Sequence, residues 1–68
     1  MATNLVNIYS TDKHYYAELI RQMLSEHNIH SFIVNKQDSA YKFGDIELFV
    51  HRDHVIQGNM LIREFEEN

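Results

Sequence analysis

Ile46-Glu47-Leu48-Phe49-Val50-His51 alternates aliphatic residues with other types, the period-two pattern of a strand with one covered face. Ile46, Leu48 and Val50 share the face that a helix layer must cover, while Glu47, Phe49 and His51 share the other. Upstream, Ile29 to Asn35 contains Phe32-Ile33-Val34 and reads as a second strand. The two are joined across a polar loop, Lys36 to Asp45, that holds one of only two glycines. Leu5-Val6-Asn7-Ile8-Tyr9 is also rich in β-branched and aromatic residues, and reads as a short strand ending at Ser10-Thr11-Asp12. Simple alternation sends Val6 and Ile8 inward and Asn7 and Tyr9 outward.

Two helices fill the remaining segments. Tyr16, Leu19, Ile20, Met23, Leu24 and His27 recur at three-and-four spacing, which predicts an amphipathic helix from about Lys13 to His27 with Thr11 or Asp12 capping its first amides. Asn28 suits the left-handed residue that ends such a helix, and His27 in the last turn is favoured by the dipole when protonated. Asp53 is placed to cap a second helix whose apolar set is Val55, Leu61, Ile62 and Phe65. Gly58 costs this helix about 1 kcal/mol against Ala, which points to a close approach to the sheet. Glu64, Glu66 and Glu67 oppose the dipole at the C-terminus, so the final turn is expected to fray.

The resulting order is strand, helix, strand, strand, helix. That order predicts an α+β, two-layer sandwich with both helices on one sheet face and the first and third strands as neighbours. It is a ferredoxin-like split βαβ lacking its final strand. The first strand is then an unpaired edge, and Tyr9 and Phe49 stand together on the open face. Both features favour association, so a homodimer or higher oligomer is expected.

Length and composition bound the function. A chain of 68 residues makes a single domain, 1–68, in which about 60% of the unfolded surface can be buried. The absence of cysteine excludes a disulfide framework, a thiolate metal site and a thiol nucleophile. A net charge of -4 with no basic run lacks the footprint of a phosphate-backbone binder, so no nucleic-acid partner is expected. Neither a signal-like N-terminus nor a window near the ~20 apolar residues of a membrane span is present, which predicts no membrane partner and a cytoplasmic location.

Catalysis is not expected either. Ser39, Asp38 and a histidine could be assembled into a hydrolytic set, but there is no nucleophile elbow, glycine-rich phosphate loop or apolar carboxylate pair. Two His-x-x-His spacings, His27 to His30 and His51 to His54, are each broken by a helix end or a strand-to-helix junction. They do not form the paired ligand set of one helix face, so no metal and no cofactor are expected.

The most specific stretch is Asn35-Lys36-Gln37-Asp38-Ser39-Ala40-Tyr41, followed by Gly44 and Ile46-Glu47-Leu48-Phe49-Val50. Asn35 and Asp38 can satisfy turn amides, Tyr41 can lay its ring over the sheet end, and Gly44 can supply a positive φ. With Tyr9-Ser10-Thr11 before the first helix and Ala17-Glu18 within it, this pattern resembles a family of small bacterial signal-transducing domains. The similarity runs from about Leu5 to Phe65. That family is grouped by fold with the nitrogen-regulatory PII proteins, ferredoxin-like trimers that bind adenine nucleotides and 2-oxoglutarate and dock through a long loop.

The resemblance implies a regulatory or adaptor role in signal transduction through protein–protein interaction, not a reaction. The alternative it carries is a small-molecule or nucleotide sensor of PII type. The loop here is shorter than the PII docking loop and lacks a glycine-rich phosphate turn. The expected partner-binding residues are Asn35, Asp38, Ser39 and Tyr41 in the loop, with Tyr9 and Phe49 on the sheet.

Overall fold

A computed structural model of the chain describes residues 4–36 and 46–67. The elements are β1 (Leu5–Thr11), α1 (His14–Glu26), β2 (Ser31–Asn35), β3 (Ile46–His51) and α2 (Val55–Glu67), with a 3-10 turn, Arg52–His54, leading into α2. The three strands form one sheet in the order β1-β3-β2, with β3 antiparallel to both neighbours. The fold is thus α+β, as expected, and β1 and β3 are adjacent as the element order predicted. Among the described residues β1 and β2 are the two sheet edges.

The alternation of β3 decides where the core lies. Ile46, Leu48 and Val50 are almost fully buried beneath the helices. Leu48 and Val50 form one core with Ile20 and Leu24 of α1, Ile62 of α2, and Ile29 from the connection to β2. Each such aliphatic side chain, fully removed from water, contributes about 1.5–3 kcal/mol before chain entropy is counted.

The exit from α1 follows from one residue. Asn28 has φ 63°, the left-handed conformation expected of it, and this turns two amides back onto the helix. Asn28 N–H donates to the Ser25 carbonyl at 3.0 Å and Ile29 N–H to the Leu24 carbonyl at 2.9 Å. That is a Schellman end, and its customary apolar contact is made by Ile29 in the same core as Leu24. His27 Nδ1 lies 3.0 Å from the Met23 carbonyl; a carbonyl only accepts, so Nδ1 carries the proton.

Two local expectations are corrected. The α1 N-cap is Lys13, with no side-chain cap bond; the Thr11 hydroxyl instead accepts from Lys13 N–H at 3.2 Å, in the turn just upstream. Asp53 does not cap the second helical segment. Its own N–H is capped, donating to His51 Nδ1 at 3.1 Å. α2 is helical through Glu67, and one of its terminal acids has a partner from the sheet: the Tyr9 hydroxyl donates to Glu66 Oε2 at 2.8 Å.

Gly58 fulfils its sequence reading. It is buried, and a Cβ at this position would stand 3.1 Å from Ile8 Cδ1, so the missing side chain is what lets α2 lie close to β1.

Candidate interaction surface

The sheet has one covered and one open face, and register assigns every strand residue to one of them. From β3 the open set is Glu47, Phe49 and His51, as its alternation predicted. On β2, Phe32 lies opposite Phe49 and Val34 opposite Glu47. Those two positions join the open face, while Ser31, Ile33 and Asn35 turn toward the helices.

On β1 the register slips. Leu5, Val6 and Asn7 pair with His51, Val50 and Phe49, but the next pairing is Tyr9 with Leu48, leaving Ile8 as an extra residue. A bulge of this kind flips every later side chain to the other face. Asn7 holds it closed, its Nδ2 donating to the Tyr9 carbonyl at 3.0 Å and to the Leu48 carbonyl at 3.2 Å.

The bulge overturns the placement of Tyr9 beside Phe49. Tyr9 is on the helix side, packed against the core. Its ring centroid is 5.9 Å from that of Tyr16, which in turn is 6.1 Å from that of Phe65. Both phenols point at one carboxylate oxygen, with the Tyr16 hydroxyl 3.4 Å from Glu66 Oε2. Burial first, and then the Glu66 carboxylate, push the Tyr9 phenol well above the usual tyrosine range. This trio is a seam that ties β1, α1 and α2 together, and it keeps Tyr9 neutral.

In place of Tyr9, the open face offers Phe32, which is 46% exposed, together with Leu5 at 39% and Val34 at 41%. Phe49 is half-buried beside Phe32. His30 stacks on Phe32 with ring centroids 5.9 Å apart and planes at 27°. Polar groups frame the apolar patch: Lys36 Nζ is 3.2 Å from Glu47 Oε1 at one end, and His51 stands at the other. Phe32 and Val34 were visible as a β run in the sequence, yet alternation within β2 alone does not say which of its two rows faces out. Only the pairing with β3 does.

The loop residues divide differently. Asn35 is exposed at the end of β2, opposite Ile46. Asp38, Ser39 and Tyr41, with Gly44, lie outside the described residues. The outer helix layer carries two further apolar pairs one turn apart, Tyr15 with Leu19 on α1 and Ile56 with Met60 on α2.

Among the described residues little else resembles a site. A hollow of about 280 Å³ is lined by Ser25, Asn28, Ile29 and His30, just under the ~300 Å³ at which small-molecule sites begin, and its lining has no lysine or arginine to hold a phosphate. Among the described residues no group of three or more His, Asp or Glu side chains is placed to hold a metal ion. His51 and His54 come near each other, with ring centroids 6.2 Å apart, but His51 Nδ1 is already engaged with Asp53. No helix of the described residues is long and apolar enough to cross a membrane. No protein-family model, curated protein or solved structure matches the chain.

Proposed function

We propose that the chain is a non-enzymatic regulatory or adaptor domain of ferredoxin-like, PII-related architecture that docks a protein partner on the open face of its sheet. The observation that carries this reading is the cross-strand pair Phe32 and Phe49, set side by side by register on a face that no helix among the described residues covers. An exposed apolar patch rimmed by polar groups is the usual form of a protein-binding surface. The resemblance to small bacterial signal-transducing domains supports a regulatory role, and it brings Ser39 and Tyr41 in as additional contacts beside Asp38, whereas Asn35 belongs to the row of β2 that turns toward the helices.

The test is affinity capture with the wild-type chain and with Phe32→Ser, Phe49→Ser, Ser39→Ala and Tyr41→Ala. Loss of one and the same partner in the two sheet variants, with melting temperatures unchanged, supports the face. Full retention of that partner by both sheet variants removes it. The loop variants ask separately whether Ser39 and Tyr41 touch the same partner.

A further inference from the structure

The open face is built as its own complement. β2 presents Phe32, Val34 and, just beyond its end, Lys36; β3 presents Phe49 opposite Phe32 and Glu47 opposite Val34, and the Lys36 ammonium reaches back past Val34 to the level of Glu47. One row is thus aromatic and basic, and its neighbour is aromatic and acidic. A two-fold axis running along the strands, between β2 and β3, carries each row over the other row of a second copy. Phe32 then meets Phe49 of the second copy, and Lys36 meets its Glu47. By symmetry each contact occurs twice, as an isologous interface requires.

We infer that this face is a two-fold self-association surface, closed by four phenylalanine rings and an alternating ring of two Lys36 and two Glu47 side chains. The inference rests on the reading of the sheet face as a docking surface, and it names a second copy of this chain as the occupant. Two physical arguments favour that occupant. The chain carries a net charge of -4, but on this face Lys36 and Glu47 cancel, so two copies approach here without the like-charge excess they meet elsewhere. Aligned sheets also pack about 10 Å apart with strands within about 30° of each other, a geometry that keeps rows near the axis in register.

Size sets the strength. Three strands at about 4.8 Å spacing and six residues at about 3.3 Å rise cover roughly 300 Å² in projection. A standard stable interface buries about 800 Å² on each partner. The face is therefore small against a standard interface, and the dimer belongs to the weak class.

Sedimentation velocity on the full chain, from about 10 µM to about 1 mM, tests this through charge reversal. Wild type should pass from monomer to dimer across that range. Lys36→Glu alone places Glu against Glu47 of the second copy, and Glu47→Lys alone places Lys against Lys36, so each variant should stay monomeric. Mixed one to one, they face each other with opposite charges at both contacts, and dimer should return. Thermal melts establish that each variant is folded; if Glu47→Lys is not, Phe32→Asp takes its place as a variant expected to stay monomeric.

A wild type that is monomeric at the highest concentration overturns the inference, as does a dimer indifferent to both reversals or a mixture no more associated than its components. The two readings fail separately. A monomeric wild type whose capture of another protein is abolished by Phe32→Ser removes the second copy and leaves the docking face standing.

Discussion

β1 and β2 flank the same central strand, and both run antiparallel to it, yet only β2 keeps one register along its length. β2 is short and carries no bulge, so its faces follow a period of two throughout. β1 gains a residue at Ile8, and the side chains beyond it change sides. The difference shows that the face a residue occupies is a property of pairing, not of its own strand's sequence. It also serves two edges differently. A bulge spoils β1 as a template for a further strand, while β2 limits its exposure by being only five residues long.

The largest test of this contrast is Tyr9→Ala. Strict alternation makes Tyr9 an outward residue whose truncation costs under about 0.5 kcal/mol. On the helix side, against Tyr16 and bonded to Glu66, it should cost about 2–3 kcal/mol, less than a fully buried aromatic because Tyr9 is only partly covered. The readout is the urea midpoint at constant slope. A loss below about 0.5 kcal/mol would return Tyr9 to the open face and erase the bulge.

Next in size is Gly58→Leu. The extra residue of the bulge, Ile8, sits directly under Gly58, with 3.1 Å to the position a Cβ would take. A leucine must displace Ile8 and push α2 off β1, for a loss of about 2 kcal/mol. Gly58→Ala should be close to neutral, because about 1 kcal/mol of helix propensity offsets a small shift of the Ile8 methyl. If Gly58→Leu melts like wild type, the close approach of α2 to β1 is not what the glycine provides.

These two strands also mark how far the sequence could be read. The element order, the covered row of β3, the Asn28 helix end and the close approach at Gly58 were all legible, because each depends on local chemistry: alternation, a left-handed residue, a missing Cβ. The fate of Tyr9 was not. A bulge is a mismatch between two strands distant in sequence, and the only local trace of this one is Asn7, a polar residue in an apolar strand whose amide can reach two carbonyls. Phe32 was overlooked for the same reason, since assigning its row needs the β2 register. The partner of Glu66 was not legible either, because the dipole argument counts charges along one helix, whereas the phenol that holds this carboxylate comes from β1.

Asn7→Ala should cost about 1 kcal/mol through the loss of two side-chain bonds to carbonyls, one of them only partly buried. The equivalent change on the straight strand, Val34→Ala, should cost less than about 0.5 kcal/mol because its side chain is exposed. Hydrogen exchange sharpens the pair: in Asn7→Ala the amides around Ile8 and Tyr9 should lose protection before those of β2. Equal protection in both edges would mean that Asn7 does not hold the slip.

The smallest effect is confined to alkaline solution and tests the same bulge from the side of Tyr9's hydroxyl. Folding raises the phenol's pKa through burial and Glu66, so folding favours its neutral form. The contribution is complete below the unfolded tyrosine value of about 10. As the pH rises past that value, the unfolded chain releases the proton while the folded one keeps it, and stability falls until the folded phenol also ionises. Spectroscopic titration of the tyrosines should show a late-ionising phenol that is missing in Tyr9→Phe, and the alkaline decline in melting temperature should be shallower in that variant. A Tyr9 on the open face would have neither Glu66 nor the helix layer beside it, so a Tyr9→Phe chain whose late-titrating phenol persists would place the perturbed hydroxyl elsewhere and reopen the register of β1.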